Sequence, residues 1–329
     1  MGQIVLICSK ESINAMNKFY EKQLLGKNPP GSVFAAKTSG CTITAYQSGK
    51  VLFQGNDCDR EAGRWQDAGV PAAGKLGNAG KPGISGHTAA GKSKSAAAKG
   101  NVPTGIGQMS VIGSDEVGTG DFFGPITVVA AYVKKEHIPI LKELGVRDSK
   151  DLNDEKIIEI AKSIKDVVPF SLMTLKNDKY NQVQQAGMSQ GKMKALLHNQ
   201  AILKVLEKIA PEKPEAILID QFVQQSTYFL HLKGQKAIAR ENVYFSTKAE
   251  GIHLAVAAAS ILARYAFIQY IDKLSDAAGF RIPKGAGSLV DEAAAKLILK
   301  KGPDSLSSFV KLHFANTDKA MALVRKKRG

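Results

Sequence analysis

The stretch VIGSDEVGTGDFFGPITVVAAYVK, residues 111–134, decides the fold of this chain. Two apolar runs rich in β-branched residues flank a glycine-rich turn, a pattern that predicts two successive strands. The first run ends on the acid pair Asp115 and Glu116. A carboxylate at the end of a buried strand costs free energy unless it has a partner, and a metal ion is a natural partner. The turn after this strand is therefore the first candidate for a functional site.

Two more acids follow apolar segments farther along the chain. The strand-like run ILID ends on Asp220, and VYFSTKAE places Glu250 just before HLAVAAASILARYAFIQYIDKL, which predicts one long buried helix. Sites built only from oxygen ligands suit hard cations such as Mg²⁺ or Mn²⁺. The competing interpretation is that each acid caps a helix or pairs with a lysine, and for a single acid that interpretation is favoured.

The neighbouring acids Asp115 and Glu116 pose a geometric problem. Adjacent residues of a straight strand point to opposite faces, so both cannot face one metal cluster from within a strand. We expect either that the strand ends between them or that Glu116 contributes through its backbone carbonyl. The following Gly118, Thr119 and Gly120 favour a strand-ending turn that permits close backbone approach of a ligand. They do not match a dinucleotide-binding fingerprint, because no third glycine opens a helix at the required spacing.

The charge balance points to a polyanionic partner. The 329 residues carry a net charge of +15, from 45 Lys and Arg against 30 Asp and Glu. A basic surface attracts polyanions by releasing their counterions, so nucleic acid is the favoured partner. A plain basic protein with a solvated tail is the competing interpretation.

Composition also bears on the location of the protein. Three cysteines without a short repeating spacing suit neither a disulfide framework nor a zinc site, which indicates a reducing compartment. We expect no membrane span, because no apolar run approaches the roughly 18 residues that a span needs. The first residues lack the layout of a secretory signal, so we expect a cytoplasmic protein.

Composition divides the chain into three segments. Residues 1–65 combine a strand-like run, a helical pattern over 14–25 and three short β-rich runs, which predicts a small α+β domain. Residues 66–107 are rich in Gly, Ala, Lys and Ser and have no apolar stripe, which predicts a flexible linker. Residues 108–329 alternate strand and helix patterns, which predicts an α/β domain.

One face of the N-terminal sheet is a second candidate site. In CTITAYQ, Thr42, Thr44 and Tyr46 fall on one face of the strand, and Lys37 and Lys50 lie nearby. A polar face of this kind could dock a nucleic-acid backbone. It could equally be a plain solvent-exposed face, and the pattern favours neither interpretation.

The chain resembles ribonuclease HIII, the bacterial branch of the type 2 ribonucleases H, in seven motifs. In order these are DEVGTGDFFGP, RDSKDL, LLHNQAI, LID, STKAEGIHLAVAAASILARY, PKGAGS and KLHFAN. The match covers residues from about 109 to 316, and the first and fifth motifs are highly specific. The front segment PPGSVFAAKTSGCTITAYQSGKVLFQG is similar to the N-terminal domain of that family. With this spacing, four acids in a basic chain favour a metal site over helix caps.

The resemblance implies a ribonuclease H-like catalytic domain of the α/β class, with a mixed sheet flanked by helices. It places this domain behind a small α+β domain that is similar to one half of the TATA-box-binding protein and that helps to hold the substrate. It implies that Asp115, Glu116, Asp220 and Glu250 are catalytic and hold two Mg²⁺ or Mn²⁺ ions. The implied reaction is hydrolysis of the RNA strand of RNA/DNA hybrids to 3′-hydroxyl and 5′-phosphate ends.

The resemblance also implies substrate contacts. The Gly-Thr-Gly turn stands where related enzymes have a Gly-Arg-Gly turn that recognises the 2′-hydroxyl, the group that marks RNA. Lys150 is either a phosphate contact or a solvated loop lysine. Lys248, two residues before Glu250, is either a phosphate contact or a charge that screens the acids. His198, His253 and His313 lie on apolar stretches, so we expect them to be packed or hydrogen-bonded and not catalytic. The candidate substrate-binding residues are Gly118, Thr119, Gly120, Ser149, Lys150, Lys248, Lys37, Tyr46 and Lys50.

Three other functions stay open at this point. A ribonuclease HII would also nick DNA at a single embedded ribonucleotide, but the N-terminal domain and Glu250, where those enzymes usually have Asp, argue against it. A hybrid-binding protein without catalysis would use the basic surface alone, and the four intact acids argue against it. A nucleotidyl-transfer enzyme could share the fold, because fold does not fix function. We expect a monomer that acts on RNA/DNA hybrids.

Overall fold

The computed structural model describes residues 2–26, 28–29, 31–66 and 102–328. The chain divides into two compact units, Met1–Lys99 and Gly100–Gly329. The predicted linker, residues 66–107, lies mostly outside the described residues. The predicted domain boundaries at residues 65 and 108 therefore stay predictions.

The N-terminal unit is an antiparallel sheet with two helices. Its elements are β1 (Gly2–Ile7), α1 (Lys10–Phe19), β2 (Ser32–Lys37), β3 (Cys41–Tyr46), β4 (Lys50–Gly55) and α2 (Cys58–Gln66). The strands lie in the order β1-β4-β3-β2. The predicted small α+β architecture is confirmed, whereas its likeness to half of the TATA-box-binding protein stays a prediction. All three cysteines are buried and free.

The first helix begins and ends earlier than its sequence pattern predicts. The pattern predicts a helix over 14–25, whereas α1 covers Lys10–Phe19. Ser9 caps the N-terminus, because its hydroxyl accepts a hydrogen bond from Ser12 N at 3.2 Å. Directly after α1, Tyr20 turns into the core, where it is 1% exposed. Capping and this turn, and not the apolar spacing, set the two ends of the helix.

The two faces of the N-terminal sheet differ from the prediction. One face packs against α1 and α2 in a single apolar core. The register places Lys37, Thr44, Tyr46 and Lys50 on the opposite face, as predicted. On that face, however, Tyr46 is 2% and Thr44 is 4% exposed. The prediction that Tyr46 offers a surface contact is therefore wrong, because alternation along a strand determines a face but not whether that face is covered.

The second unit is a mixed sheet flanked by helices, as predicted. Its strands are β5 (Val111–Val117), β6 (Ile126–Val133), β7 (Phe170–Leu175), β8 (Ala216–Asp220) and β9 (Val243–Ser246). Their order is β7-β6-β5-β8-β9. Strand β5 pairs antiparallel with β6 and parallel with β8, and β9 is parallel to β8.

Helices cover both faces of this sheet and extend beyond it. They are α3 (Ile138–Glu143), α4 (Asp154–Ile164), α5 (Asn177–Gln185), α6 (Gln190–Ile209), α7 (Gln225–His231), α8 (Leu254–Ala278), α9 (Ser288–Lys301), α10 (Leu306–Phe309) and α11 (Asn316–Arg328). The helical pattern near residues 303–311 predicts one further helix, but α10 is shorter than that pattern, because the chain after α10 extends and Val310 forms a β-bridge with Phe123.

Strand β5 lies at the centre of the sheet, and its two faces meet different helices. Ile112 shares an apolar core with Ile202 of α6. Gly113 faces α8 so closely that a Cβ atom there would overlap the backbone of Ala255 and Val256. Because successive strand residues alternate between faces, odd-numbered residues of β5 face α8 and even-numbered ones face α6.

Helix α8 corrects one expectation about membranes. The sequence predicts no apolar run long enough to span a membrane, yet α8 is long and apolar enough to cross one. However, 67% of its most apolar stretch of 18 residues is buried inside the fold. The apolar length of α8 is therefore explained by its place as a core helix.

We expect Gly113→Ala to destabilise the protein strongly, because the added methyl group cannot fit against the backbone of α8. The free energy of unfolding should fall by about 1–3 kcal/mol or more. Urea denaturation followed by circular dichroism measures this change. Gly107→Ala is the matched control, because its Cβ would meet its nearest neighbour, Ile252 O, at an ordinary 3.5 Å. Equal stability of the two variants would contradict the close packing of α8 on β5.

Candidate active site

Three of the predicted acids lie at one end of the sheet. The parallel pairing of β5 with β8 ends at Ser114 opposite Ile219, one residue before Asp115 and Asp220. Glu250 lies in the short turn between β9 and α8. Because β5, β8 and β9 run parallel, their carboxyl ends lie at the same end of the sheet, which is where open α/β sheets form ligand sites.

The fourth acid, Glu116, lies on the other face of β5 from Asp115. Strand β5 continues through both residues, which pair with Val129 and Val128 of β6. The prediction that the strand ends between the two acids is therefore wrong. The alternation of a strand holds instead: Asp115 faces α8, where burial raises the pKa of its carboxyl group and Ser260 lowers it, and Glu116 meets α6.

Two basic side chains of α6 hold Glu116. Lys194 Nζ donates to Glu116 Oε1 at 2.7 Å, and His198 Nε2 lies 2.8 Å from Oε2. Phe222 covers this pair, because its ring lies 5.0 Å from the His198 ring and 4.2 Å from Lys194 Nζ. Burial raises the pKa of Glu116, but the hydrogen bonds and charges of His198 and Lys194 outweigh burial and hold the pKa below its ordinary value. Glu116 is therefore ionised at neutral pH.

Glu250 is buried and accepts three hydrogen bonds. Its Oε2 accepts from Ser149 N and Ser149 Oγ, each at 3.0 Å, and its Oε1 accepts from Lys150 Nζ at 2.8 Å. The Ser149 hydroxyl also lies 2.8 Å from the hydroxyl of Ser260, which contacts Asp115. Two hydroxyl groups thus connect Asp115 to Glu250.

The pKa values of Asp115 and Asp220 are both raised. Burial, followed by the charges of Glu116 and Asp220, raises the pKa of Asp115 well above its ordinary value. Burial also raises the pKa of Asp220, although its hydrogen bond from Ala249 N, at 2.9 Å, opposes the shift. Neighbouring like charges disfavour the ionised forms of both groups. A bound cation would relieve this repulsion.

The donors fit a hard cation in chemical kind. All four acids offer carboxylate oxygens, which Mg²⁺ and Mn²⁺ prefer. Within the ranges that the structure describes, however, no three His, Cys, Asp or Glu side chains are arranged to hold a metal ion. Glu116 is turned toward α6, and Glu250 is turned toward Ser149 and Lys150. Metal ligation by either glutamate has to compete with these partners.

The predicted Gly-Thr-Gly turn directly follows β5. Gly118 has a φ of +94°, and a Cβ atom there would overlap Pro125 O, so glycine is required. Thr119 O accepts a hydrogen bond from Gln190 Nε2 at 3.2 Å, and Gly120 is exposed. The turn therefore presents its backbone at the same end of the sheet as the acids.

The predicted substrate lysines lie in different surroundings. The side chain of Lys150 is 67% exposed and pairs with Glu250. Lys248 is exposed and adopts a left-handed φ of +56° two residues before Glu250. Lys37 is exposed and Lys50 is half-buried in the N-terminal unit. The structure thus places Lys150 and Lys248 beside an acid of the site, and the other two lysines in the separate unit.

The basic residue Lys194 of the site was not selected from the sequence. His198 is packed and hydrogen-bonded, as expected. Their spacing of four residues, which puts both on one helix face, is the signal that could have found Lys194. Arg264 was missed as well; its guanidinium donates to Ser149 O at 2.7 Å and to Leu152 O at 2.9 Å. It thereby anchors the turn that holds Glu250.

Comparison with known proteins finds relatives over the whole chain. The family model described as Ribonuclease HII matches residues 112–317, and one described as a domain of unknown function matches residues 3–73. Ribonuclease HIII of Bacillus subtilis (strain 168) is 57% identical over 328 residues, which cover 100% of both chains. Ribonuclease HIII of Bacillus pumilus (strain SAFR-032) is 56% identical and covers 97% of this chain and 99% of that one.

Solved structures agree with this result. The crystal structure of Bst-RNase HIII in complex with Mn²⁺ matches at 43% identity with a TM-score of 0.67, over 99% of this chain and 100% of that chain. Aquifex aeolicus RNase H3, at 21% identity and a TM-score of 0.51 over 94% and 99% of the two chains, is similar in fold. With a family model over residues 112–317 and a full-length relative at 57% identity, this chain belongs to the ribonuclease HII family and, within it, to ribonuclease HIII.

Proposed function

We propose that this chain is an endoribonuclease that hydrolyses the RNA strand of RNA/DNA hybrids, with Asp115, Glu116, Asp220 and Glu250 as its catalytic acids. One observation carries the assignment of the site: Asp115 and Asp220 directly follow the last paired residues of two adjacent parallel strands, and burial and neighbouring carboxylates raise the pKa of both. Carboxylates perturbed in this way cluster at functional sites. The reaction class follows from the relatives, which are named ribonuclease HIII.

The same four acids would hold divalent ions. Their oxygens match the preference of Mg²⁺ and Mn²⁺, and the related Bst-RNase HIII was solved with Mn²⁺. We assign Asp115 and Asp220 as the core ligands, because they lack the direct basic partners that hold Glu116 and Glu250. The two glutamates complete the sites. A pair of divalent ions, when bound, stabilises the negative charge on the attacking and leaving oxygens of a phosphodiester.

The protein itself supplies orientation and charge balance in this proposal. The hydroxyls of Ser149 and Ser260 connect Asp115 to Glu250, so these carboxylates are oriented before substrate binds. Lys150 is mostly exposed beside Glu250, in position to meet a phosphate. The Gly-Thr-Gly turn offers backbone groups to the 2′-hydroxyl, which distinguishes RNA from DNA. Cleavage leaves 3′-hydroxyl and 5′-phosphate ends.

The N-terminal unit supplies affinity for the hybrid. Lys37 and Lys50 lie on the sheet face opposite the helices, where their charges attract the phosphate backbone. Residues 66–107 connect this domain to the catalytic domain, residues 108–329. We propose that the protein works as a monomer in the cytoplasm.

Cleavage of a labelled RNA/DNA hybrid, beside a DNA duplex that carries one ribonucleotide, tests the proposal. We expect cutting of the hybrid that requires Mg²⁺ or Mn²⁺, stops with chelator and exceeds cutting of the other duplex. Asp115→Asn and Asp220→Asn should lower turnover by at least about 100-fold and keep hybrid binding, because each removes a charge that holds the ions. The matched control, Asp272→Asn on the exposed face of α8, should stay within about twofold of wild type.

Each other result of that assay has a defined meaning. Equal cutting of both duplexes would indicate the specificity of ribonuclease HII. Binding without cutting under either metal would indicate a hybrid-binding protein. Turnover of the Asp115 or Asp220 variant within about tenfold of wild type would mean that the ligands are misassigned.

Removing the buried charge of Asp115 should stabilise the metal-free protein. Because the folded state disfavours ionised Asp115, Asp115→Asn in chelator should raise the free energy of unfolding at pH 7 by about 1–3 kcal/mol. Because the pKa of Asp115 is raised in the folded state, the destabilisation by its charge grows as pH rises above the ordinary aspartate value of about 3.9. The stability gained by Asp115→Asn should therefore vanish near pH 4. Urea denaturation at both pH values measures it. A loss of stability at pH 7 would contradict this electrostatic account.

Substitution of the N-terminal lysines should weaken binding and leave chemistry intact. In Lys37→Ala/Lys50→Ala we expect KM for the hybrid to rise about three- to tenfold at physiological salt, with kcat unchanged and a salt slope smaller by about 1–2. The matched control is Lys18→Ala/Lys22→Ala, two exposed lysines in and just after α1. Steady-state cleavage at several salt concentrations measures both variants. Identical KM values would remove this sheet face from the proposed substrate surface.

A further inference from the structure

A segment from the C-terminal part of the chain runs along the loop between β5 and β6, residues 118–125. Lys311 N donates to Phe122 O at 2.9 Å. Next to this hydrogen bond, Phe123 of the loop forms a β-bridge with Val310. The segment after α10 therefore holds the loop that begins with the Gly-Thr-Gly turn.

The side chain of Lys311 adds two contacts to the same loop. Its Nζ donates to the carbonyl oxygens of Asp121 and Gly124, each at 2.7 Å. The side chain is 0% exposed. Burial lowers the pKa of Lys311 to about 7, and the charge of Asp121 opposes this shift. A lysine is seldom buried so completely, because moving its charge out of water costs free energy unless specific partners compensate.

Two further contacts fix the loop from other elements. Gln190 Nε2 donates to Thr119 O at 3.2 Å, inside the turn itself. The Asp121 carboxylate accepts a hydrogen bond from Gly285 N at 2.6 Å. The backbone next to Gly120 is thus held on both sides by residues that are not among the four acids. The contacts that fix the Gly-Thr-Gly turn are therefore different from the contacts that fix the four carboxylates.

We propose that Lys311 is a positioning residue for substrate recognition, which holds the Gly-Thr-Gly turn where its backbone meets the 2′-hydroxyl of the RNA strand. This inference rests on the proposed function, which assigns the turn to the RNA strand. An ammonium group has three donors, and two of them here satisfy carbonyls three residues apart in one loop. An apolar side chain of the same length leaves the Asp121 carbonyl without that donor. A misplacement of about 1 Å at such a site costs up to about 100-fold in activity.

Lys311→Met tests this role against the matched variant Lys300→Met. Lys300 Nζ also donates to two backbone carbonyls, Ala278 O at 3.0 Å and Gly279 O at 3.4 Å, but these lie at the end of α8. Both substitutions therefore remove a lysine that holds two carbonyls. Kinetics are measured on the RNA/DNA hybrid, well below the melting temperature of each full-length variant.

We expect Lys311→Met to raise KM for the hybrid about tenfold and to change kcat less than about threefold, because a 2′-hydroxyl contact is made in the ground and transition states alike. Preference for the hybrid over a DNA duplex of the same sequence, measured as a ratio of Kd values in chelator, should fall about tenfold as well. Lys300→Met should leave KM and preference within about twofold of wild type. Equal effects of the two variants would overturn the proposal, since Lys311 would then be only structural.

Two more variants keep the test decisive if Lys311→Met does not fold. Lys311→Gln retains N–H donors without charge and should restore part of the preference for the hybrid. Gln190→Ala detaches Thr119 from the other side and should lower the preference about threefold, in the same direction. Wild-type preference in both variants would contradict the positioning role.

Hydrogen–deuterium exchange of the amides of residues 118–124 separates failure of this inference from failure of the proposed function. These amides should exchange faster in Lys311→Met than in wild type or Lys300→Met, whether or not the protein cleaves hybrids. Unchanged exchange would overturn the positioning role. A wild-type protein without preference for the hybrid would instead overturn the proposed function, and the exchange result alone would then decide whether Lys311 holds the loop.

Discussion

The close contact of α8 with β5 is the constraint on which the rest of the catalytic unit depends. Gly113 has no Cβ, so the helix backbone approaches the strand directly. This approach places Ser260 against Asp115 and begins α8 just after Glu250. Through Ser149, which contacts both Ser260 and Glu250, the same helix orients two acids that are far apart in the chain. One glycine therefore determines how strand and helix combine into a site.

Around this contact, the four carboxylates lie in two different environments. Glu116 and Glu250 each accept hydrogen bonds from a basic side chain, and at Glu116 these contacts hold the pKa below its ordinary value. At Asp115 and Asp220, burial and neighbouring carboxylates raise the pKa. Basic side chains thus contact the two glutamates, while burial disfavours the charge of the two aspartates, a pattern expected where function conflicts with local stability. The unfavourable free energy of burying a charge falls on Asp115 and Asp220, and a divalent cation bound there would relieve it.

Most of the fold follows from local patterns. All strands of the two sheets except β7, and the long helix α8, were predictable, because alternation with periods of 2 and 3.6 residues is visible in any short window. The elements that escaped lack such a pattern. Strand β7 is only partly buried on either face, and α5 is mostly polar, so their identity depends on neighbours that a window does not contain. The ends of α1 and α10 likewise depend on capping and on a bridge to a distant loop.

For the site, the sequence by itself determined that Asp115, Glu116, Asp220 and Glu250 follow apolar segments, and so identified these four acids as candidates. Only the tertiary structure decided that β5 runs on through Glu116, that Glu116 faces α6, and that Tyr46 is buried. The physical reason is the same in each case. A residue's place along its strand or helix is a local property, whereas its partner, its burial and therefore its charge state depend on which distant element packs against that face.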